Sequence, residues 1–161
     1  MDYRIGIGYD IHRLIEDRKL FLGGVEIAYN KGLLGYSDGD VLLHAICDAL
    51  LGALGLGDIG EHFPDNSPDY KDIASIELLK KVNSLVEESQ YKINNVDSVI
   101  IAQEPRISPF KKQMRQTIAK TLGIDEESIS IKAKTNDKLG QIGANEAMAA
   151  YAVVIISRRQ I

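Results

Sequence analysis

Asp10 and His12 stand two residues apart in "GIGYDIHRL", and a second histidine, His44, lies in "SDGDVLLHAICDALLGALGLG". A carboxylate and two imidazoles form a donor set suited to zinc, which takes such ligands at about 2.0–2.2 Å and keeps a fourth position open when the site is catalytic. Ile5, Ile7 and Tyr9 alternate with Gly6, Gly8 and Asp10, the period of a strand. Asp10 and His12 then project from one face where that strand runs out. On a helix, Asp40, His44 and Asp48 fall one turn apart, opposite Leu42, Ile46, Ala49 and Ala53. A solvated helix edge would read the same way, although Val41 and Leu51 border the stripe and favour a site. D-x-H spacing also arises by chance, so the spacing leaves the metal open. The remaining histidine, His62, lies in "GEHFPD".

These residues need a frame to hold them. A chain of 161 residues is long enough to bury one sizeable core, and residues 1–161 read as a single domain. A net charge of −4 argues against nucleic-acid binding through clustered basic residues. Cys47 is the only cysteine, which excludes an intrachain disulfide and suits a reducing interior; it reads as a small core residue, not a nucleophile. The start lacks the basic-then-apolar run of a secretory signal, and "AMAAYAVVII" is too short to span a bilayer as a helix. A soluble, cytoplasmic protein without membrane or nucleic-acid partners is expected.

Strands are expected at 3–10, at 20–30 as a hairpin turned at Gly23-Gly24, from "INNVDSVIIAQ" to near Ala102, at "SISIKAK" and at 147–157. The first helix takes Ser37 or Asp38 as its cap, with Asp40 in its first turn. A second repeats Ile76, Leu79, Val82 and Leu85–Val86. A third opens at Ser108-Pro109, carries Phe110, Met114, Ile118 and Leu122, and closes at Gly123. Mixed strands and helices predict an α+β fold, a mixed β-sheet with helices packed on one face.

Five segments, "GYDIHRL", "LGGVEI", "KGLLGYSDGDVLLHAICDALLGALGLGDIGEHFPD", "VDSVIIAQEPRI" and "KAKTNDKLG", occur in this order over nearly the whole chain. Together they resemble the 2-C-methyl-D-erythritol 2,4-cyclodiphosphate synthase family of the non-mevalonate isoprenoid pathway. The resemblance implies a homotrimer with active sites between subunits. It also implies conversion of 4-diphosphocytidyl-2-C-methyl-D-erythritol 2-phosphate into a cyclic diphosphate with release of CMP. Zn2+ is then held by Asp10, His12 and His44, with its fourth position left for a substrate phosphate oxygen. A second ion, Mg2+ or Mn2+, falls to Asp137, where the family has a glutamate, and Thr135 steadies the phosphates.

Other roles carry over by position. Asp58 and Gly60, with Ile59 between them, match the ribose contacts. Ser37, Phe63 and Asp65 match the methylerythritol phosphate pocket. Ala102, Gln103, Glu104, Pro105, Arg106, Ile107 and Ser108 match a loop that encloses cytosine mainly through backbone groups. Asp48 is either a partner that orients His44 or an ordinary helix-face carboxylate.

Departures from the family's pattern are concentrated near the phosphates. Tyr36 replaces a histidine and is expected to act in catalysis by donating a hydrogen bond to a substrate phosphate, without the positive charge. Lys134 and Asn136 replace threonines on either side of Thr135. Gln141 replaces an aromatic residue and Ala144 an arginine that lines the trimer's central cavity, where it clasps an isoprenoid diphosphate; Glu146 is retained. Two rival functions remain at this point: a metal-dependent nucleotide diphosphate hydrolase, and a catalytically impaired, metal-stabilised nucleotide-binding trimer.

Overall fold

The computed structural model describes residues 2–159; Met1, Gln160 and Ile161 of the expected domain lie outside the described residues. Strand β1 (Tyr3–Glu16) runs well past the expected end at residue 10. It pairs antiparallel with β7 (Ala147–Arg158) from Tyr3 to Arg13, and β4 (Lys31–Leu33) takes over from Leu14 to Glu16. Asp10 and His12 therefore sit inside a continuous ladder. The polar residues mask this in the sequence, because the partner strands sustain the hydrogen bonding.

Strand β5 (Tyr91–Ile101) lies antiparallel on the far side of β7, and β6 (Ile129–Lys134) runs parallel to β5. The result is a five-stranded mixed sheet in the order β4-β1-β7-β5-β6, with β2 (Leu20–Leu22) and β3 (Val25–Ile27) as a separate hairpin. The hairpin turns at Gly23 and Gly24, both in the left-handed region that glycine adopts readily.

The helices are α1 (Val41–Leu54), α2 (Ile59–His62), α3 (Ser75–Glu88), α4 (Lys111–Leu122) and α5 (Gly140–Gly143). A short 3-10 turn at Ser108–Phe110 precedes α4, which ends on the left-handed Gly123. Asp40, not Ser37 or Asp38, caps α1. Its carboxylate accepts from the Leu43 N–H at 3.1 Å and also from Gly23 and Gly24 at 3.0 and 2.8 Å. The hairpin's turn thus competes for the cap, a tertiary demand that the local sequence does not display. Burial and the neighbouring charge of Asp38 push the Asp40 carboxyl up to about 6 despite those three donors.

Helix α1 is buried along nearly its whole length and crosses β1 and β7. Gly6 and Gly8 make this approach possible. A Cβ on Gly6 would lie 1.8 Å from the Ala49 carbonyl oxygen, and one on Gly8 would lie 1.9 Å from that of Ala45. The next two residues on the same face of β1 are Asp10 and His12. Stepping along the strand past the glycines therefore leads to His44, one residue before Ala45 on the helix. Among the described residues nothing covers the opposite sheet face, with Ile5 and Ile7 70% and 69% exposed and Ile11, Tyr151 and Val153 exposed as well.

Candidate metal centre and its cavities

Asp10, His12 and His44 offer ligand atoms that all lie within 4.8 Å of one another. Oδ2 of Asp10 is 3.0 Å from His12 Nε2 and 2.9 Å from His44 Nδ1. The Leu34 carbonyl, an acceptor only, takes the Nδ1 proton of His12 at 2.5 Å, so in the neutral ring Nε2 turns a lone pair toward Asp10. Two imidazole nitrogens and a carboxylate oxygen converge here from a rigid strand and a buried helix turn. That chemistry fits a divalent metal, and the second ring nitrogen of each histidine is anchored, as metal-ligating imidazoles require.

Burial works against the charge on Asp10. When protonated, His12 and His44 donate to the carboxylate, and these hydrogen bonds, with their charges, outweigh burial and hold the carboxyl well below the usual range. For His12, burial also opposes the charged form, and the hydrogen bond and charge of Asp10 overcome it, raising its pKa.

A cavity of about 250 Å³ opens over the triad. Tyr36, Ser37, Ile59, Gly60, Phe63 and Asp65, all named from the sequence, line it. Tyr70, Ile73 and Leu78 line it as well and were missed. Leu78 reads as a core residue of α3, and no spacing links Tyr70 to a site 60 residues upstream in the chain. Phe63 and Tyr70 meet edge to face with ring centroids 5.4 Å apart, and the Lys81 ammonium lies 4.9 Å from the Tyr70 ring. The Tyr36 hydroxyl donates to the Ser67 carbonyl at 3.1 Å, tying the loop before α1 to the segment after α2. Arg18 holds that same loop, donating to the Gly35 and Ser37 carbonyls.

Asp48 does not partner His44. Its carboxylate accepts the Ile59 N–H at 2.8 Å and so anchors the start of α2, while both ring nitrogens of His44 are engaged elsewhere. Burial raises the Asp48 carboxyl above its ordinary range, although the Ile59 bond opposes the rise. Asp58 caps α2 through the Glu61 N–H at 3.0 Å. Cys47 is fully buried, and burial pushes its thiol well up, which removes it as a nucleophile.

A second cavity, about 660 Å³, is lined by every residue from Ala102 to Ser108 together with Tyr29, Ala133, Lys134 and Thr135. It shares no lining residue with the first. Asp137 follows Thr135 in an exposed turn, its N–H 3.5 Å from the Thr135 hydroxyl, and Asn136 donates to the Leu139 carbonyl at 2.8 Å. Gln141 and Ala144 lie at α5, exposed and outside both cavities.

The YgbB family model matches residues 3–157. A 2-C-methyl-D-erythritol 2,4-cyclodiphosphate synthase of Syntrophomonas wolfei is 56% identical over 155 residues, covering 96% of this chain and 99% of the relative. Among solved structures, the bifunctional IspDF of Campylobacter jejuni superposes with a TM-score of 0.94 at 44% identity. The match covers 98% of this chain and 42% of that longer protein. The Plasmodium falciparum IspF, solved as a CDP complex, gives a TM-score of 0.86 at 42% identity, covering 98% and 97%.

Proposed function

The chain belongs to the YgbB family, and from that premise we propose how its two cavities serve one reaction. It catalyses conversion of 4-diphosphocytidyl-2-C-methyl-D-erythritol 2-phosphate to 2-C-methyl-D-erythritol 2,4-cyclodiphosphate and CMP, as a synthase of non-mevalonate isoprenoid biosynthesis. An oxygen of the 2-phosphate bonds to the β-phosphorus. The bond from that phosphorus to the α–β bridging oxygen breaks, and CMP leaves with the oxygen and the electron pair.

The attacking phosphate is already ionised near neutral pH, so the chain need not supply a strong base. It must align two phosphates and offset their charge. Asp10, His12 and His44 would hold Zn2+, and Asp137 would hold Mg2+ or Mn2+. Such ions supply Lewis-acid charge neutralisation and a template for the diphosphate. The remaining tasks fall to the chain itself. Ala102–Ser108 enclose the cytosine through main-chain groups, and Asp58 and Gly60 receive the ribose. Ser37, Phe63 and Asp65 confine the methylerythritol phosphate. Thr135 steadies the diphosphate, with the Lys134 charge beside it. Tyr36 acts by holding the Ser67 segment against the pocket, a role for which a phenol suffices.

The two cavities have no residue in common, and one substrate must occupy both. A homotrimer resolves this by placing one subunit's triad cavity against its neighbour's cytidine loop. The uncovered apolar face of β1 and β7 is the surface such a closed ring would bury. With Ala144 in place of arginine, the centre of that ring lacks a clasp for an isoprenoid diphosphate. No helix among the described residues is long and apolar enough to cross a membrane, and we assign the enzyme to the cytoplasm as a single domain over residues 1–161.

The observation that carries this reading is the convergence of Asp10, His12 and His44 beneath a cavity. Phosphorus NMR with the authentic substrate tests it. A cyclic diphosphate with CMP is expected; linear hydrolysis products, or no turnover, would overturn the assignment.

A further inference from the structure

The far side of His44 carries a second set of contacts. Its Nε2 lies 2.8 Å from Ser75 Oγ and 3.1 Å from Ser37 Oγ. Ser75 opens α3 and is fully buried, and its hydroxyl also bonds Oδ1 of Asp38. Oδ2 of Asp38 accepts the Ser75 backbone N–H at 2.9 Å, and Oδ1 accepts that of Asp40 at 3.2 Å. Asp38 thereby caps a helix whose own preceding residue, Ala74, offers no capping side chain.

These bonds run in one direction only. A carboxylate accepts, so the Ser75 hydroxyl donates to Asp38 and has only lone pairs left for His44. The imidazole must then carry its proton on Nε2, and Nδ1 keeps the lone pair that faces Asp10 Oδ2 at 2.9 Å. Ser37 supports the same arrangement. Its oxygen accepts the Gly39 N–H at 3.2 Å, lies 3.4 Å from Ser75 Oγ and shares the Nε2 proton.

We propose that Asp38 and Ser75 are positioning residues that fix the proton and the ring orientation of His44, committing Nδ1 to a divalent metal. The inference rests on the metal reading of the triad and deepens it. Both residues act through His44 and touch neither metal nor substrate. The Asp38→Asn substitution preserves shape but opposes this direction. Either orientation of the amide sets its NH2 against a backbone N–H; keeping the oxygen on the closer one, that of Ser75 at 2.9 Å, gives up the 3.2 Å bond from Asp40 and turns the NH2 toward Ser75 Oγ. The hydroxyl is then turned to donate to Nε2, which forces the imidazole proton onto Nδ1, the atom that should bind metal.

The test is zinc competition against a chromophoric chelator, using metal-free wild type, Ser75→Ala, Asp38→Asn and the double variant, with thermal unfolding of each metal-free protein alongside. Zinc affinity should fall about tenfold to a hundredfold in each single variant. The double variant should fall little further, because one row of bonds serves both residues. Unfolding of metal-free Ser75→Ala should stay close to wild type, which separates lost positioning from lost structure. Folded single variants that bind zinc within about threefold of wild type would overturn the relay and leave the metal site standing. Wild type that takes up no zinc would instead overturn the metal reading, and the relay with it.

Discussion

Around the Asp10–His12–His44 cavity, side chains from a strand, a helix and two loops meet at fixed distances, and the groups behind them are hydrogen-bonded, with Ser75 fully buried. Around the Ala102–Ser108 cavity, one loop, the end of β6 and Tyr29 after β3 supply the walls, and Glu104, Arg106, Ser108, Lys134 and Thr135 are exposed. The first region depends on which atoms its side chains carry. On the proposed reading the second depends on where its main chain runs, and backbone recognition tolerates changed lettering. Substitutions should therefore be punished in one region and largely absorbed in the other.

The largest effect is expected from His44→Ala. Losing one of three ligands should lower turnover by at least about 1000-fold, roughly 4 kcal/mol of barrier. Binding of CMP, measured by calorimetry, should change less than about threefold because the other cavity is untouched. Retained turnover would end the ligand role, and lost CMP binding would break the independence of the two regions. Next in size is Gly8→Ala. Its new Cβ would meet the backbone carbonyl oxygen of Ala45 at 1.9 Å, with no flexible side chain to give way, so α1 must move. A loss of about 3 kcal/mol in urea unfolding is expected. Arg106→Ala, exposed beside the other cavity, should stay within about 0.5 kcal/mol.

The same contrast governs what the sequence could reveal. The hairpin turn, the stripes of α3 and α4 and the mixed sheet follow from local periodicity and turn chemistry, and they are where the sequence places them. Asp10 and His12 also share a face as alternation requires, although β1 continues to Glu16 because β7 and β4 hold it. Pairing across long separations is not written in local pattern. For that reason the α1 cap moved to Asp40, which answers to Gly23 and Gly24, and Asp48 turned to Ile59. The Asp38–Ser75 pair lies 37 residues apart and carries no motif of its own. The cluster of Asp10, His12 and His44 was legible because a possible metal site draws on histidine, of which the sequence has three. Its supporting bonds use common residue types.

Mixing subunits tests whether the two regions belong to one site across an interface. Coexpressing His44→Ala with a Thr135→Ala/Asp137→Ala double variant should yield trimers in which about a quarter of the interfaces pair two intact halves. Turnover should return to about a fourth of wild type, assayed against each variant alone. Activity no greater than the sum of the two parents would place each site within one chain and remove the reason for a trimer.

An effect as small as that of Arg106→Ala should come from an ion pair on β5 and β6. Lys132 donates to Asp97 at 2.5 Å, yet the two side chains are 50% and 45% exposed. The Lys132 hydrogen bond is the chief cause that lowers the Asp97 carboxyl below its ordinary value, with burial opposing it. A carboxyl lowered in the folded state adds stability above its unfolded pKa near 3.8 and loses it as pH falls through the folded value. Solvent screening limits that contribution to about 0.5 kcal/mol. Asp97→Asn should therefore be less stable than wild type by about that amount at pH 7, with the gap narrowing as the unfolding series is carried to about pH 3. A gap above about 2 kcal/mol would mean that side chains beside the second region are as tightly coupled to the fold as those of the first. The contrast between the two would then rest on exposure alone, not on how each is built.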